Sequence, residues 1–239
     1  EIIEHVKSFG LLGFLIILVI YSIRIVIRAW AWKLAVFEPF SLSLRDTIPA
    51  VIIGEAMSSM IPLGILVSGT AKAVAVRKRL PLVVGLSSVA IENLFYSFTT
   101  SLFLISGACA FLKFTAADPA LEKTIDLIIA AILAVLIFLF LLVIRQWHFA
   151  SEFCQSLYRR GIFASFLEHA RFQVRLFENL IFGFYRRYPQ RFLPICVLEI
   201  TFHLLGVLEV WFIVSRIVAP DGQLMNAFLL ETVSRLITI

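Results

Sequence analysis

Charge is scarce in this chain. Of its 239 residues only 15% are Asp, Glu, Lys or Arg, against about a quarter in soluble domains. So little charge excludes an ordinary soluble domain. With 61% hydrophobic residues and a mean hydropathy of +0.98, the bilayer is left as the solvent of an integral membrane protein. Cysteine is thin as well: Cys109, Cys154 and Cys196 are odd in number and lack metal-ligand spacing. They support neither a disulfide framework nor a zinc site and read as packing residues. No H-E-x-x-H, G-x-S-x-G, Walker A loop or aspartate-rich diphosphate motif occurs, so catalysis is not expected, nor any cofactor or metal. The net charge of +5 comes without an aromatic-rich basic patch, which argues against a nucleic-acid partner. The basic residues cluster between apolar runs, where cytoplasmic retention and anionic headgroups account for them. The first apolar run follows acidic residues and has no small-residue cleavage site, so it is not a signal peptide.

Long apolar runs are what the chain does have. Those able to cross about 30 Å of hydrocarbon lie at residues 9–32, 82–112, 125–144 and 192–218. A fifth, 47–67, is interrupted by Gly54, Glu55, Ser58, Ser59, Pro62 and Gly64. The expected fold is all-α, with about four full transmembrane helices and two broken or re-entrant helical elements. It would form one transmembrane domain over residues 1–239: a first repeat at 9–146, an amphipathic interfacial linker at 149–190 and a second repeat at 191–239. A start at Glu1 rather than Met, and an end in mid-segment at Ile239, imply a longer intact protein.

Charge sets the expected topology. Lys72, Arg77, Lys78 and Arg79 crowd what reads as one short loop, and Arg159, Arg160, Arg171, Arg175, Arg186, Arg187 and Arg191 dominate the segment after the third full run. Both should face the cytoplasm, which implies a multi-pass protein of the inner (plasma) membrane. The element at 47–67 either crosses as a kinked span or dips in and returns. The re-entrant reading is preferred, because Pro62 disfavours continued helix and because Arg24, Arg28 and Lys33 then lie toward the cytoplasm. Carried onward, the same parity puts Asp221 outside and brings the segment from Asn226 in from the outer face, an inverted repeat. Within 149–190, Leu176, Phe177, Leu180, Ile181, Phe184, Tyr185 and Tyr188 share one helical face, with Arg171, Arg175, Glu178 and Asn179 on the other. Such a helix lies in the headgroup plane; docking on a soluble partner is the alternative.

The polar groups inside apolar sequence need reasons. Glu55-Ala-Met-Ser-Ser-Met-Ile and Glu231-Thr-Val-Ser-Arg-Leu-Ile repeat Glu, Ser and Ile in register, as though one polar element had been duplicated. A carboxylate at membrane depth is expensive, and two such elements are expected to line a shared polar cavity. Arg24, Arg28 and Trp32 fall on one stripe. They read either as snorkelling Arg beside an interfacial Trp or as a paired guanidinium site for a lipid phosphate, which Lys72 could join. Glu92, beside Asn93 and one turn after Ser87 and Ser88, should pair or protonate. Glu199 and His203 share a face and either satisfy each other or relay protons, with Glu209 deeper in the same run. Arg235 follows Glu231 at i+4, so a local ion pair is expected. The substrate-binding candidates are thus Arg24, Arg28, Glu55, Ser58, Ser59, Pro62, Lys72, Glu231 and Arg235. Glu92, Glu199, His203 and Glu209 are candidates for proton coupling.

Taken in order, these residues resemble a known family: the transmembrane region of lysylphosphatidylglycerol synthases and the related flippase-like proteins, including hopanoid-biosynthesis-associated members. The resemblance covers most of the chain. Gly54-Glu55-Ala56, Ile61-Pro62-Leu63-Gly64, Ser68-Gly69 and Lys72 look like the first-half pattern, and Ser87 to Glu92 like its small-residue helix ending in an acid. His203 through Glu209-Val210-Trp211, and Leu230-Glu231-Thr232, look like the second-half pattern. Thr70 and Asn93 depart from it, standing where the family often has an acid and an Arg; its earlier span and a later Pro- and Gly-rich stretch are also not among these residues. The resemblance implies movement of a lipid between leaflets, with synthesis assigned to a separate soluble domain, so no enzyme is expected here. The expected partners are membrane lipids, an anionic or modified phospholipid or an isoprenoid-type lipid, and beside them a lipid-synthesising enzyme. Two alternatives stay open: a proton-coupled secondary transporter of a small polar solute, and a non-transporting accessory subunit of a lipid-modifying enzyme.

Overall fold

The computed structural model describes residues 2–60, 64–114, 118–160, 164–217 and 223–238. Among these, every regular element is helical: α1 (Ile2–Ala35), α2 (Leu44–Met60), α3 (Gly64–Ala75), α4 (Leu82–Phe114), α5 (Pro119–Ile144), α6 (Phe149–Arg159), α7 (Ala164–Arg187), α8 (Phe192–Ile217) and α9 (Leu224–Thr238), with a 3-10 turn at Pro189–Arg191. The all-α membrane class expected from composition is the class observed.

Four of these stretches are long and apolar enough to cross a membrane: Gly10–Ala35, Leu82–Phe114, Pro119–Ile144 and Pro189–Arg216. The shorter ones, at 26 residues, measure about 39 Å at 1.5 Å per residue, more than the hydrocarbon needs. By the same rise α2 and α3, with 17 and 12 residues, reach only about 25 and 18 Å, too short to cross alone. Helix α1 kinks at Gly10, whose backbone is left-handed at φ 66°. Helix α5 carries mean hydropathy 3.6 with none of its residues fully buried, as suits a helix that turns most of its surface to hydrocarbon.

The chain divides into two compact units. The first comprises Glu1–Ile27, Tyr96–Ile137 and Val197–Ile239; the second comprises Arg28–Phe95 and Phe138–Cys196. In the first, Phe103, Val207 and Ala227 form a buried cluster flanked by Val210 and Phe228. In the second, the core includes Trp32, Val51, Ile91, Phe184 and Ile195. Trp32 has 0% exposure and donates its indole N–H to Ser88 Oγ at 3.0 Å, so it is a core residue, contrary to the interfacial reading.

Helices α2 and α3 fold back on each other. A methyl group on Gly54 would lie 2.9 Å from both Lys72 Cγ and Ser68 Oγ, an approach that only glycine allows. Along one straight helix, residues 54 and 68 would instead stand about 21 Å apart. Pro62, expected to break this element, lies outside the described residues. Lys72 belongs to α3 and is 1% exposed, which corrects its placement in a surface loop with Arg77, Lys78 and Arg79. A lysine fills the buried side of the hairpin because a carboxylate awaits it there.

The amphipathic segment forms α6 and α7, and α7 leaves Phe172 65% exposed while burying Phe182 and Phe184. Glu178, expected on the Arg-bearing face, is buried. Its Oε1 accepts the backbone N–H groups of Ala150 (2.9 Å) and Ser151 (3.4 Å), and its Oε2 lies 3.3 Å from His148 Nδ1. The carboxylate thereby satisfies two orphan donors at the α6 N-terminus, where negative charge is also favoured by the helix dipole. Arg191 likewise secures a helix end, because its Nη1 donates to the carbonyls of Leu34 (3.3 Å) and Val36 (2.6 Å) where α1 finishes.

Candidate functional site: a charge cluster in each unit

In the second unit the polar groups converge on Glu92 of α4. Its side chain has no exposure. Arg28 Nε, from α1, donates to Glu92 Oε1 at 3.2 Å, and Lys72 Nζ, from α3, to Oε2 at 3.4 Å. The far end of the Arg28 guanidinium binds Glu55 of α2 through Nη1 at 2.7 Å. Two cations and two carboxylates thus neutralise one another. The carboxylates differ in access: the Glu55 side chain is 32% exposed, whereas that of Glu92 is sealed. Ser68 Oγ is buried beside this cluster without a hydrogen-bond partner among the described residues. Ser58 and Ser59 each donate to a backbone carbonyl of their own helix, Glu55 and Ala56 respectively.

In the first unit Arg24 of α1 pairs with Glu209 of α8, and Arg235 of α9 donates through Nε to Glu231 Oε1 at 2.8 Å, the local pair expected from the i,i+4 spacing. Gly206 lets these pairs approach: a methyl group there would stand 2.6 Å from Glu231 Oε1 and 3.5 Å from Arg24 Nη2. Phe202 takes both guanidiniums, Arg24 at 4.5 Å and Arg235 at 5.3 Å from its ring centroid, an arrangement that stabilises cations held out of water. Arg235 also reaches the Tyr96 hydroxyl at 3.4 Å. His203 is stacked on Tyr96 and Phe103, with Nε2 3.0 Å from Thr100 Oγ1, and Glu199 is buried in the same unit.

Arg24, buried, and Arg28, partly buried, are each held in ion pairs with carboxylates, which corrects the snorkelling alternative. Glu55 and Glu231 belong to different units, each with its own arginine. Phe202, Tyr96 and Thr100 are site neighbours that sequence reasoning missed, and Ser68 was singled out only as part of the family pattern. An aromatic or hydroxyl residue in an apolar helix carries no periodic signal that distinguishes a cation's neighbour from core. The histidine next to Phe202 was the nearest hint.

Buried pairs of this kind are poor devices for stability, because desolvation offsets much of the Coulombic gain. Their chemical capacity lies in exchange. An anion that displaces Glu55 from Arg28 keeps the guanidinium neutralised and can take its planar fork in bidentate fashion. Apolar helices enclosing self-neutralised charge define an all-helical integral membrane protein with polar work to do inside apolar structure. Across residues 1–239 the chain matches the family described as the lysylphosphatidylglycerol synthase TM region, and it belongs to that family. No curated protein and no solved structure matches it.

Proposed function

We propose that this protein binds a membrane lipid by its polar head and moves it between leaflets, without chemical change to the lipid. The observation that carries this reading is Arg28, held between a sealed carboxylate and an accessible one. A phosphate-bearing headgroup replaces Glu55 at the guanidinium, and departure of the lipid lets Glu55 return, so no state leaves the cation unmatched. An anionic or modified phospholipid carries this phosphate chemistry, as does an isoprenoid-type lipid where its head is phosphorylated. Membership of a family named for a phospholipid synthase's membrane region supports a lipid as the ligand. In this reading the protein is a multi-pass inner-membrane protein, α2 and α3 form a re-entrant hairpin, and an enzyme that makes the lipid is its natural partner.

Proteoliposomes test the activity. Purified protein should raise the fraction of a fluorescent phospholipid that a membrane-impermeant reductant can reach, and Arg28→Glu should abolish that gain. Equal activity in Arg28→Glu sinks the headgroup role. Single cysteines at Ser43 and Lys78 test the hairpin. Labelling of both from one side of the membrane is expected, and labelling from opposite sides rejects re-entry.

A further inference from the structure

One cleft in the second unit shares no residue with either charge cluster. It holds about 530 Å³, within the usual range for ligand pockets. Phe37, which follows α1, and Leu180 and Phe184 of α7 line it together with Asn179, Arg186 and Arg187. Its wall is built rather than incidental. Both neighbours of Phe37 are pinned: the Val36 carbonyl accepts from Arg191 Nη1 at 2.6 Å, and the Glu38 N–H donates to the Tyr188 hydroxyl at 3.3 Å.

The charges in this cleft are unbalanced, unlike those of the ion-pair clusters. Arg186 and Arg187 have no carboxylate partner among the described residues, and no acid lines the cleft. Glu38, next to Phe37 in sequence, holds its carboxylate out in solvent 3.9 Å from Arg191, and Glu178 is bound to the α6 N-terminus. Both arginines occupy the last turn of α7, where the helix dipole favours cations but supplies no counter-ion. Two guanidiniums and an amide above an apolar wall match a ligand with an anionic head and a hydrocarbon body.

We infer that this cleft seats the phosphate group of an anionic membrane phospholipid, Arg186 and Arg187 gripping the head while the chain lies along the accessible part of the wall at Leu180 and Gly183. This lipid is a resident of the site and is not the one exchanged at Arg28.

The test uses the whole protein in a neutral detergent, with thermal unfolding followed as phosphatidic acid, phosphatidylcholine or glycerol 3-phosphate is added. Phosphatidic acid should stabilise the protein saturably, with phosphatidylcholine and free glycerol phosphate far weaker. Arg186→Gln with Arg187→Gln should weaken that response by at least about tenfold, the loss of a charge-assisted hydrogen bond, while Arg186→Lys with Arg187→Lys retains part of it. In an Arg28→Gln background the double Gln change should remove the same part of the response as it does in the wild type, which separates failure of this site from failure of the transport reading. An undiminished response in the double Gln variant overturns the proposal. So does equal stabilisation by glycerol phosphate, or saturable binding of an acidic peptide with no response to phosphatidic acid.

Discussion

Lys72 and Glu92 form an ion pair with 3.4 Å between Nζ and Oε2, and their side chains are 1% and 0% exposed. A pair so sealed is held by balance. Glu92→Gln leaves Lys72 with no counter-charge and Arg28 with Glu55 alone; Lys72→Met leaves Glu92 relying on Arg28. Each single change should destabilise by about 3–5 kcal/mol, the usual result of stranding a buried charge. The double variant Lys72→Met with Glu92→Met keeps Arg28 paired to Glu55 and restores neutrality. It should unfold at a higher temperature than either single variant in the same detergent, and strict additivity of the two losses would refute the coupling.

Gly206 carries a second prediction. The methyl group of Gly206→Ala must push the Glu231 carboxylate, 2.6 Å away, off its bond to Arg235. The loss should be about 1–3 kcal/mol, typical of overpacking. Because the damage passes through Glu231, Glu231→Ala should destabilise less in the Gly206→Ala background than in the wild type. A thermal-unfolding cycle on the four proteins measures this difference.

The spans were legible because hydropathy needs no partner: the runs at 82–112 and 192–218 return as α4 and α8. Their ends were not. Helix α5 begins at Pro119, before the apolar run at 125–144, because Pro suits the first helical position and a helix continues through polar residues that hydropathy discounts. The Glu231–Arg235 pair was legible since one helix supplies both members. By contrast, Arg28 meets Glu92 across 64 residues of sequence, and no local pattern reports such a meeting. Glu178 misled for the same reason. Periodicity placed it with the arginines, while the open N–H groups that draw it inward belong to another helix.

Arg191 should prove structural. Its Nη1 serves the Leu34 and Val36 carbonyls at once, and its guanidinium lies 4.4 Å above the Tyr188 ring. Arg191→Lys retains the charge but cannot reproduce a planar fork over an aromatic face. Both Arg191→Lys and Arg191→Ala should therefore lose stability, Ala by about 1–3 kcal/mol, as expected when buried acceptors lose a charged donor. If Lys matches the wild type in thermal unfolding, charge alone explains the residue and its geometry is irrelevant.

Asp46 makes stability depend on pH at the start of α2, outside the four spans. One of its carboxylate oxygens accepts the Ser43 hydroxyl at 2.6 Å and the Ser43 backbone N–H at 3.1 Å, the return half of a capping box. The Ser43 hydroxyl first, then its N–H, with a smaller contribution from Arg79, hold the Asp46 carboxyl below its usual range against the opposing effect of burial. A carboxyl whose value is lower when folded than when unfolded stabilises the fold above its unfolded value, about 3.9. That contribution fades as pH falls through the folded value. Unfolding temperatures of wild type and Asp46→Asn should thus differ most near neutral pH, with the wild type higher, and converge as the solution is acidified below about pH 4. A gap that stays constant across that range would remove the ionised carboxylate from the cap.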